Sequence, residues 1–183
     1  VYYVSSITQG GCATRPGNDY QSHVERWLNT DFINLGFSGN AKGEQVMAKY
    51  ISTLDASVFV LDYDHNAPTP EHLKQTHYDF YKTIRTANPD TPIVLISKPD
   101  YYSCCYYVTE QEQNVMRREI IIESYKKAVD SGDKNVYFID GKTLFGEKDY
   151  DACTVDGCHP NDLGFYRIAE TIYPVIKSIL ENK

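Results

Sequence analysis

The chain has 183 residues, 42% hydrophobic and 23% charged, with a formal net charge of −7. That length suits one domain with a sizeable core. The acidic balance argues against nucleic acid or an anionic membrane as the main partner, because both attract clustered Lys and Arg. No apolar run approaches the ~18 residues of a spanning helix, and no signal peptide is visible. The chain opens inside an extended stretch rather than on Met, as expected of one trimmed of an upstream segment or domain; a cytoplasmic or a secreted location would fit.

The predicted elements alternate. Val1–Val4 read as a strand and break at Ser5-Ser6 into a glycine-containing turn. Asp19–Leu28 read as a short helix and "DFINLG" as a second strand. In "GEQVMAKYISTL" the helical period places Val46, Met47, Tyr50, Ile51 and Leu54 on one face. "SVFVLDY" is a continuous apolar strand of the kind buried on both faces. Thr69-Pro70 begin a helix, with proline at the first helical position, where its missing N–H costs nothing. That helix runs to about Asn88. "TPIVLIS" is the fourth strand. "TEQE" at Thr109–Glu112 reads as a capping box opening a helix that stops at Gly132. "NVYFID" is the fifth strand, and a last helix starts near Asp162, with Pro174 expected to kink it. Strands alternating with helices predict a three-layer α/β/α, flavodoxin-like arrangement around a five-stranded parallel sheet.

Such a sheet binds ligands beyond the carboxyl ends of its strands. The segments placed there are Ser5-Ser6, "GFSGN" (Gly36–Asn40), "DHN" (Asp64–Asn66) and "DGCHPND" (Asp156–Asp162). Together they supply a hydroxyl nucleophile, an imidazole base, a carboxylate three residues before that base, and amide donors. Acyl transfer needs this set. Taken singly, each residue has a plainer reading: Ser6 as a turn cap, Gly39 as a turn glycine, Asn66 in an Asx-turn, Asp156 accepting loop amides, His159 opening a helix.

The four segments resemble, in order and spacing, the blocks of the SGNH hydrolases, the GDSL esterase and lipase family, over nearly the whole chain. "VSSIT" is similar to the first block, "NLGFSGN" to the second, "LDYDHN" to the third and "VDGCHPND" to the D-x-x-H block. The resemblance implies Ser6 as nucleophile, His159 as base and Asp156 as its orienting carboxylate. It implies an oxyanion hole of the Ser6 and Gly39 N–H groups and the Asn66 side-chain amide. It also implies one hydrolase domain over residues 1–183 and no metal or cofactor. Two positions depart from the family pattern: Val4-Ser5 replace Gly-Asp before the nucleophile, and Asp64-His65 replace a glycine-containing lead. Ser5, Asp64 and His65 are therefore expected to line the pocket. "SSITQGG" and "HPNDLGF" are most similar to a bacterial branch of esterases and carbohydrate deacetylases. Short post-strand loops without an apolar lid favour a small acyl group, acetyl above all, on a polar alcohol such as a sugar.

The alternatives within hydrolases are a lipase, a thioesterase or a phospholipid acetylhydrolase. A non-catalytic flavodoxin-like binding module is the alternative outside them, since fold does not set function. It would need a phosphate loop, yet G-x-x-x-x-G-K-[ST] is absent, and so is the G-x-S-x-G of α/β-hydrolases.

Other features read as structural. Five cysteines with one adjacent pair are not a disulfide framework, so free thiols are expected, with a Cys153–Cys158 bridge as the alternative. Cys153, Cys158 and His159 lack a fourth zinc ligand. His72 and His77 lack the i, i+4 spacing of a helical metal pair. The tyrosine-rich "YYSCCYY" reads as packing, placed where it could overhang the site.

Overall fold

The structure is a computed structural model, and it describes residues 1–99 and 108–182. The "YYSCCYY" segment lies outside the described residues. Five strands, β1 (Tyr2–Val4), β2 (Asn34–Gly36), β3 (Phe59–Asp62), β4 (Ile93–Ile96) and β5 (Val136–Ile139), form one sheet in the order β2-β1-β3-β4-β5. Every pairing is parallel. The helices are α1 (Tyr20–Leu28), α2 (Gln45–Ile51), α3 (Pro70–Ala87), α4 (Val108–Asp130) and α5 (Asp162–Glu181).

Side-chain alternation explains the two covering layers. Tyr2, Val4, Val60, Val94 and Ile96 point to one face, where they meet Phe165, Ile168 and Ile172 of α5 and Val24 of α1. Tyr3, Phe59, Leu61, Ile93 and Leu95 point to the other, against Ile51 of α2, Leu73, Phe80 and Ile84 of α3 and Ile121 of α4. Tyr3 stacks on Phe80 with ring centroids 4.6 Å apart. Each such fully buried side chain contributes about 1.5–3 kcal/mol, so truncating Phe80 to Ala would cost about 3–5 kcal/mol.

Local chemistry starts and stops these helices. Asp19 accepts from Ser22 N–H at the head of α1, Thr69 from His72 N–H at α3, and Asn161 from Gly164 N–H at α5. These are N-cap bonds that satisfy otherwise orphaned donors. Gly132 follows α4 with φ +92°, the left-handed stop a glycine supplies.

Helices α2 and α4 differ in detail from the sequence reading. On α2 it is Ala48 and Ile51 that are buried, whereas Val46 and Tyr50 are 71% and 52% exposed. The helix is only seven residues long and packs against α3 through the buried face. Helix α4 already includes Val108, so Thr109 lies within it rather than before it. Helix α5 continues through Pro174 to Glu181. Cys153 and Cys158 are free thiols, as is Cys12. Among the described residues no helix is long and apolar enough to cross a membrane.

Candidate active site

Beyond Val4 the alternation of β1 continues for two more residues. Ser5 turns to the α3/α4 face and is fully buried. Ser6 turns to the α5 face, where its Oγ lies 3.0 Å from His159 Nε2. The chain then coils back tightly: Gly11 N–H donates to the Ser6 carbonyl at 2.9 Å. Gly10 takes φ +85°, a conformation glycine adopts without a Cβ penalty.

His159 sits in a short turn closed by the Thr154–Pro160 bridge and the Val155 N–H to His159 carbonyl bond of 3.0 Å. Asp156 does two jobs there. Its Oδ1 accepts the backbone N–H groups of Cys158 (2.9 Å) and His159 (2.7 Å), and its Oδ2 lies 2.7 Å from His159 Nδ1. The plainer reading, a loop carboxylate accepting amides, is thus true of one oxygen, and the other orients the ring. Its partial burial opposes ionisation, but the His159 amide and ring and the Cys158 amide outweigh this and hold the carboxyl down at about 2. A carboxylate at Nδ1 places the ring proton there and leaves Nε2 as the acceptor facing Ser6. The segment is clamped to the loop after β1: Asp162 accepts from Thr14 N–H at 2.9 Å and from Asn18 Nδ2 at 2.8 Å.

The other two segments are stitched to the same edge. Phe37 N–H donates to the Val4 carbonyl at 2.9 Å, and Ser38 N–H to Gln9 Oε1 at 3.2 Å. Asn66, in the 3-10 turn Asp64–Asn66, donates one Nδ2 proton to the Phe37 carbonyl at 2.9 Å. Since a side-chain amide carries two donors, the second is left for another acceptor. Gly39 has φ +66°, and a Cβ there would meet nothing within 4 Å, so its backbone faces open space. Among the described residues no acceptor is paired with the backbone N–H of Ser6 or of Gly39. The arrangement joins an acceptor-paired hydroxyl to three amide donors at one sheet edge, which is what nucleophilic acyl transfer uses.

Ser5, Asp64 and His65 do not line an open pocket. Ser5 and Asp64 are 0% and 1% exposed, and the His65 side chain 8%. The inward phase of β1 and the 3-10 turn bury them behind Ser6. Asp62 joins them at the end of β3, a residue the sequence reading passed over as part of an apolar strand; a carboxyl amid that run was the available signal. Asp62, Asp64 and His65 bring potential metal-ligand atoms within 4.8 Å of one another. Both nitrogens of His65 already have hydrogen-bond partners, Asp64 Oδ1 at 3.0 Å and Ser5 Oγ at 2.5 Å, whereas Asp62 Oδ1 is buried with no hydrogen-bond partner among the described residues. A cavity of about 470 Å³ lined by Tyr2, Phe32, Val58 and Ile176 contains none of these residues and takes no part in the site. His72 rests its Nε2 2.9 Å from the Lys42 carbonyl, and His77 is buried.

The family model described as GDSL-like lipase/acylhydrolase matches residues 1–177. The comparison with curated proteins gives no match. Among solved structures, the chain is similar to a protein from Bacteroides ovatus ATCC 8483, provisionally described as a GDSL-like lipase. The identity is 37% and the TM-score 0.90, over 98% of this chain and 52% of that one. It is also similar to the salicylyl-acyltransferase SsfX3 from a tetracycline biosynthetic pathway (20% identity, TM-score 0.82, 97% of this chain and 54% of that one). A third is a family two carbohydrate esterase from Clostridium thermocellum in complex with cellohexaose (18% identity, TM-score 0.74, 98% and 63%). The chain spans about half the length of the first two and under two thirds of the third. At 20% and 18% identity, the last two likenesses bear on the fold alone.

Proposed function

Since the chain belongs to the GDSL-like lipase/acylhydrolase family, we propose that it is a serine esterase that removes short acyl groups, acetyl above all, from a polar alcohol such as a sugar. The observation that carries this reading is the hydrogen-bonded line Ser6 Oγ–His159 Nε2 (3.0 Å) and His159 Nδ1–Asp156 Oδ2 (2.7 Å). His159 Nε2 takes the Ser6 proton as Oγ attacks the ester carbonyl. Asp156 holds the ring tautomer and stabilises the imidazolium that forms. The Ser6 and Gly39 N–H groups and the free Asn66 N–H receive the negative charge on the carbonyl oxygen. Collapse of the tetrahedral intermediate expels the alcohol, which takes the proton from His159, and leaves an ester on Ser6. Water, deprotonated by the same nitrogen, then attacks that ester, and as the acid leaves, His159 returns the proton to Ser6 Oγ. The acetyl preference is supported by the predominantly polar segments that follow β1, β2 and β3 (residues 5–19, 37–44 and 63–69), which carry no apolar run, and the sugar preference by wording similar to carbohydrate deacetylases.

A panel of p-nitrophenyl esters from C2 to C12, run beside acetylated xylose and mannose oligomers, tests the proposal. The expected result is the highest kcat/KM on acetate and acetate release from at least one sugar. Faster turnover of C10 or C12 esters would overturn the acyl preference, and no hydrolysis of any ester would overturn the esterase reading.

A further inference from the structure

Adjacent serines at the end of β1 each face the Nε2 of a histidine whose Nδ1 is held by an aspartate. The outer line is Ser6–His159–Asp156. The inner one is Ser5–His65–Asp64, with Ser5 Oγ 2.5 Å from His65 Nε2 and His65 Nδ1 3.0 Å from Asp64 Oδ1. Full burial of Ser5 denies it a substrate, so the inner line is not a second nucleophile.

Its protons can be placed. Asp64 Oδ2 accepts the Lys98 N–H at 2.9 Å, and its Oδ1 faces His65 Nδ1, which therefore carries the ring proton. His65 Nε2 then accepts from the Ser5 hydroxyl, whose oxygen in turn accepts the Ile7 N–H at 3.2 Å. Charges agree with this order. Burial opposes ionisation of Asp64, yet the His65 ring and the Lys98 amide outweigh it and keep the carboxyl below its ordinary range. Burial holds the His65 ring neutral. Burial and the Asp64 charge push Asp62 the other way, toward the protonated acid. Arg117 of α4, 7% exposed, donates to the Asp64 carbonyl and pins the turn from behind.

The position of this line gives it a consequence. Ser5 precedes Ser6, whose N–H is one oxyanion donor, and His65 precedes Asn66, whose amide is another. A single hydrogen bond between residues 60 positions apart therefore lies one residue from each donor. We propose that Ser5, His65 and Asp64 are positioning residues: the buried Ser5–His65 bond, oriented by Asp64, sets the separation between the Ser6 N–H and the Asn66 amide. Oxyanion stabilisation depends on donors fixed at 2.7–3.1 Å from a charge that exists only in the transition state. A displacement of about 1 Å costs up to 10²-fold, and a partial loosening less. The inference rests on the reading of Ser6 as nucleophile.

A double-mutant cycle on p-nitrophenyl acetate with Ser5→Ala, Asn66→Ala and the double variant tests it. Ser5→Ala is expected to lower kcat about tenfold with KM within twofold. In the Asn66→Ala background the same change should cost less than threefold, because a donor it positions has gone. A full tenfold loss in both backgrounds, or a lowered Tm with kcat intact, would overturn the proposal. If Ser5→Ala does not fold, His65→Gln takes its place in the cycle, with the same expected non-additivity. Ser6→Ala separates the two claims. Activity surviving in it sinks the nucleophile reading, whereas a silent Ser6→Ala beside an additive cycle sinks only the positioning role.

Discussion

Replacing Asn66 with alanine separates a catalytic amide from a structural one. In the resting protein one Nδ2 proton is held by the Phe37 carbonyl at 2.9 Å, in a half-buried position. Losing that neutral bond should cost about 1 kcal/mol of stability, which is about 2–4 °C in Tm for a chain of this length. The other proton has its effect only when charge develops on the substrate oxygen. Removing such a donor lowers kcat by about 10²–10³, equivalent to ~2.7–4 kcal/mol. Because the contact is absent from the ground state, KM should stay near its original value and kcat/KM should fall with kcat. Asn66→Asp should do no better, since a carboxylate repels both the Phe37 carbonyl and the oxyanion. The assay is steady-state hydrolysis of p-nitrophenyl acetate beside a melting curve on the same preparation. A kcat within a few-fold of the parent, with a large drop in Tm, would refute the reasoning and leave Asn66 a turn residue.

Three further outcomes follow from the geometry. Asp156→Asn keeps an acceptor for the loop amides but can present an N–H to His159 Nδ1, which favours the wrong tautomer; kcat should fall on the order of 10⁴-fold with Tm little changed, and near-parental turnover would contradict this. His77 is buried and its ring is lowered from 6.5 to about 4. The unfolded chain therefore takes up a proton that the folded one refuses: stability present above pH 6.5 is lost as pH falls through 4, about 3 kcal/mol in all. His77→Leu should flatten Tm between pH 6.5 and 4, and an unaltered acid slope would assign that loss elsewhere. Gly141→Ala would bring a Cβ to 1.8 Å from the Lys98 carbonyl oxygen; the strain should cost about 3 kcal/mol, and a Tm within 2 °C of the parent in thermal melts would show that the β4 and β5 ends can yield.

Much of the architecture was legible because period and punctuation agree along the chain. The run Phe59–Asp62 is apolar but for its last residue, as a strand covered on both faces must be, and Thr69-Pro70 mark the head of α3 to the residue. The gathering of four segments at one edge was legible for a topological reason: in a parallel sheet every strand ends on the same side. The direction of individual side chains there was harder to read. Reading all post-strand polar residues as pocket residues put Ser5, Asp64 and His65 on the pocket wall. Counting the alternation of β1 past Val4 sends Ser5 and Ser6 to opposite faces. Asp62 was missed because it reads as the last residue of an apolar strand, and its approach to Asp64 and His65 exists only once the turn after β3 is folded. The covered face of α2 depends on how a seven-residue helix packs against α3, which local period does not determine.

The central claim is that Ser6 is the nucleophile, and labelling with a fluorophosphonate, located by peptide mass spectrometry, tests it most directly. Only a hydroxyl with an acceptor at hydrogen-bond distance and donors for the developing oxyanion reacts readily with such a reagent. The account predicts one adduct, on Ser6. It should be absent from Ser6→Ala and present, at a reduced rate, in Ser5→Ala. An adduct on Ser5, or labelling that survives in Ser6→Ala, would contradict it.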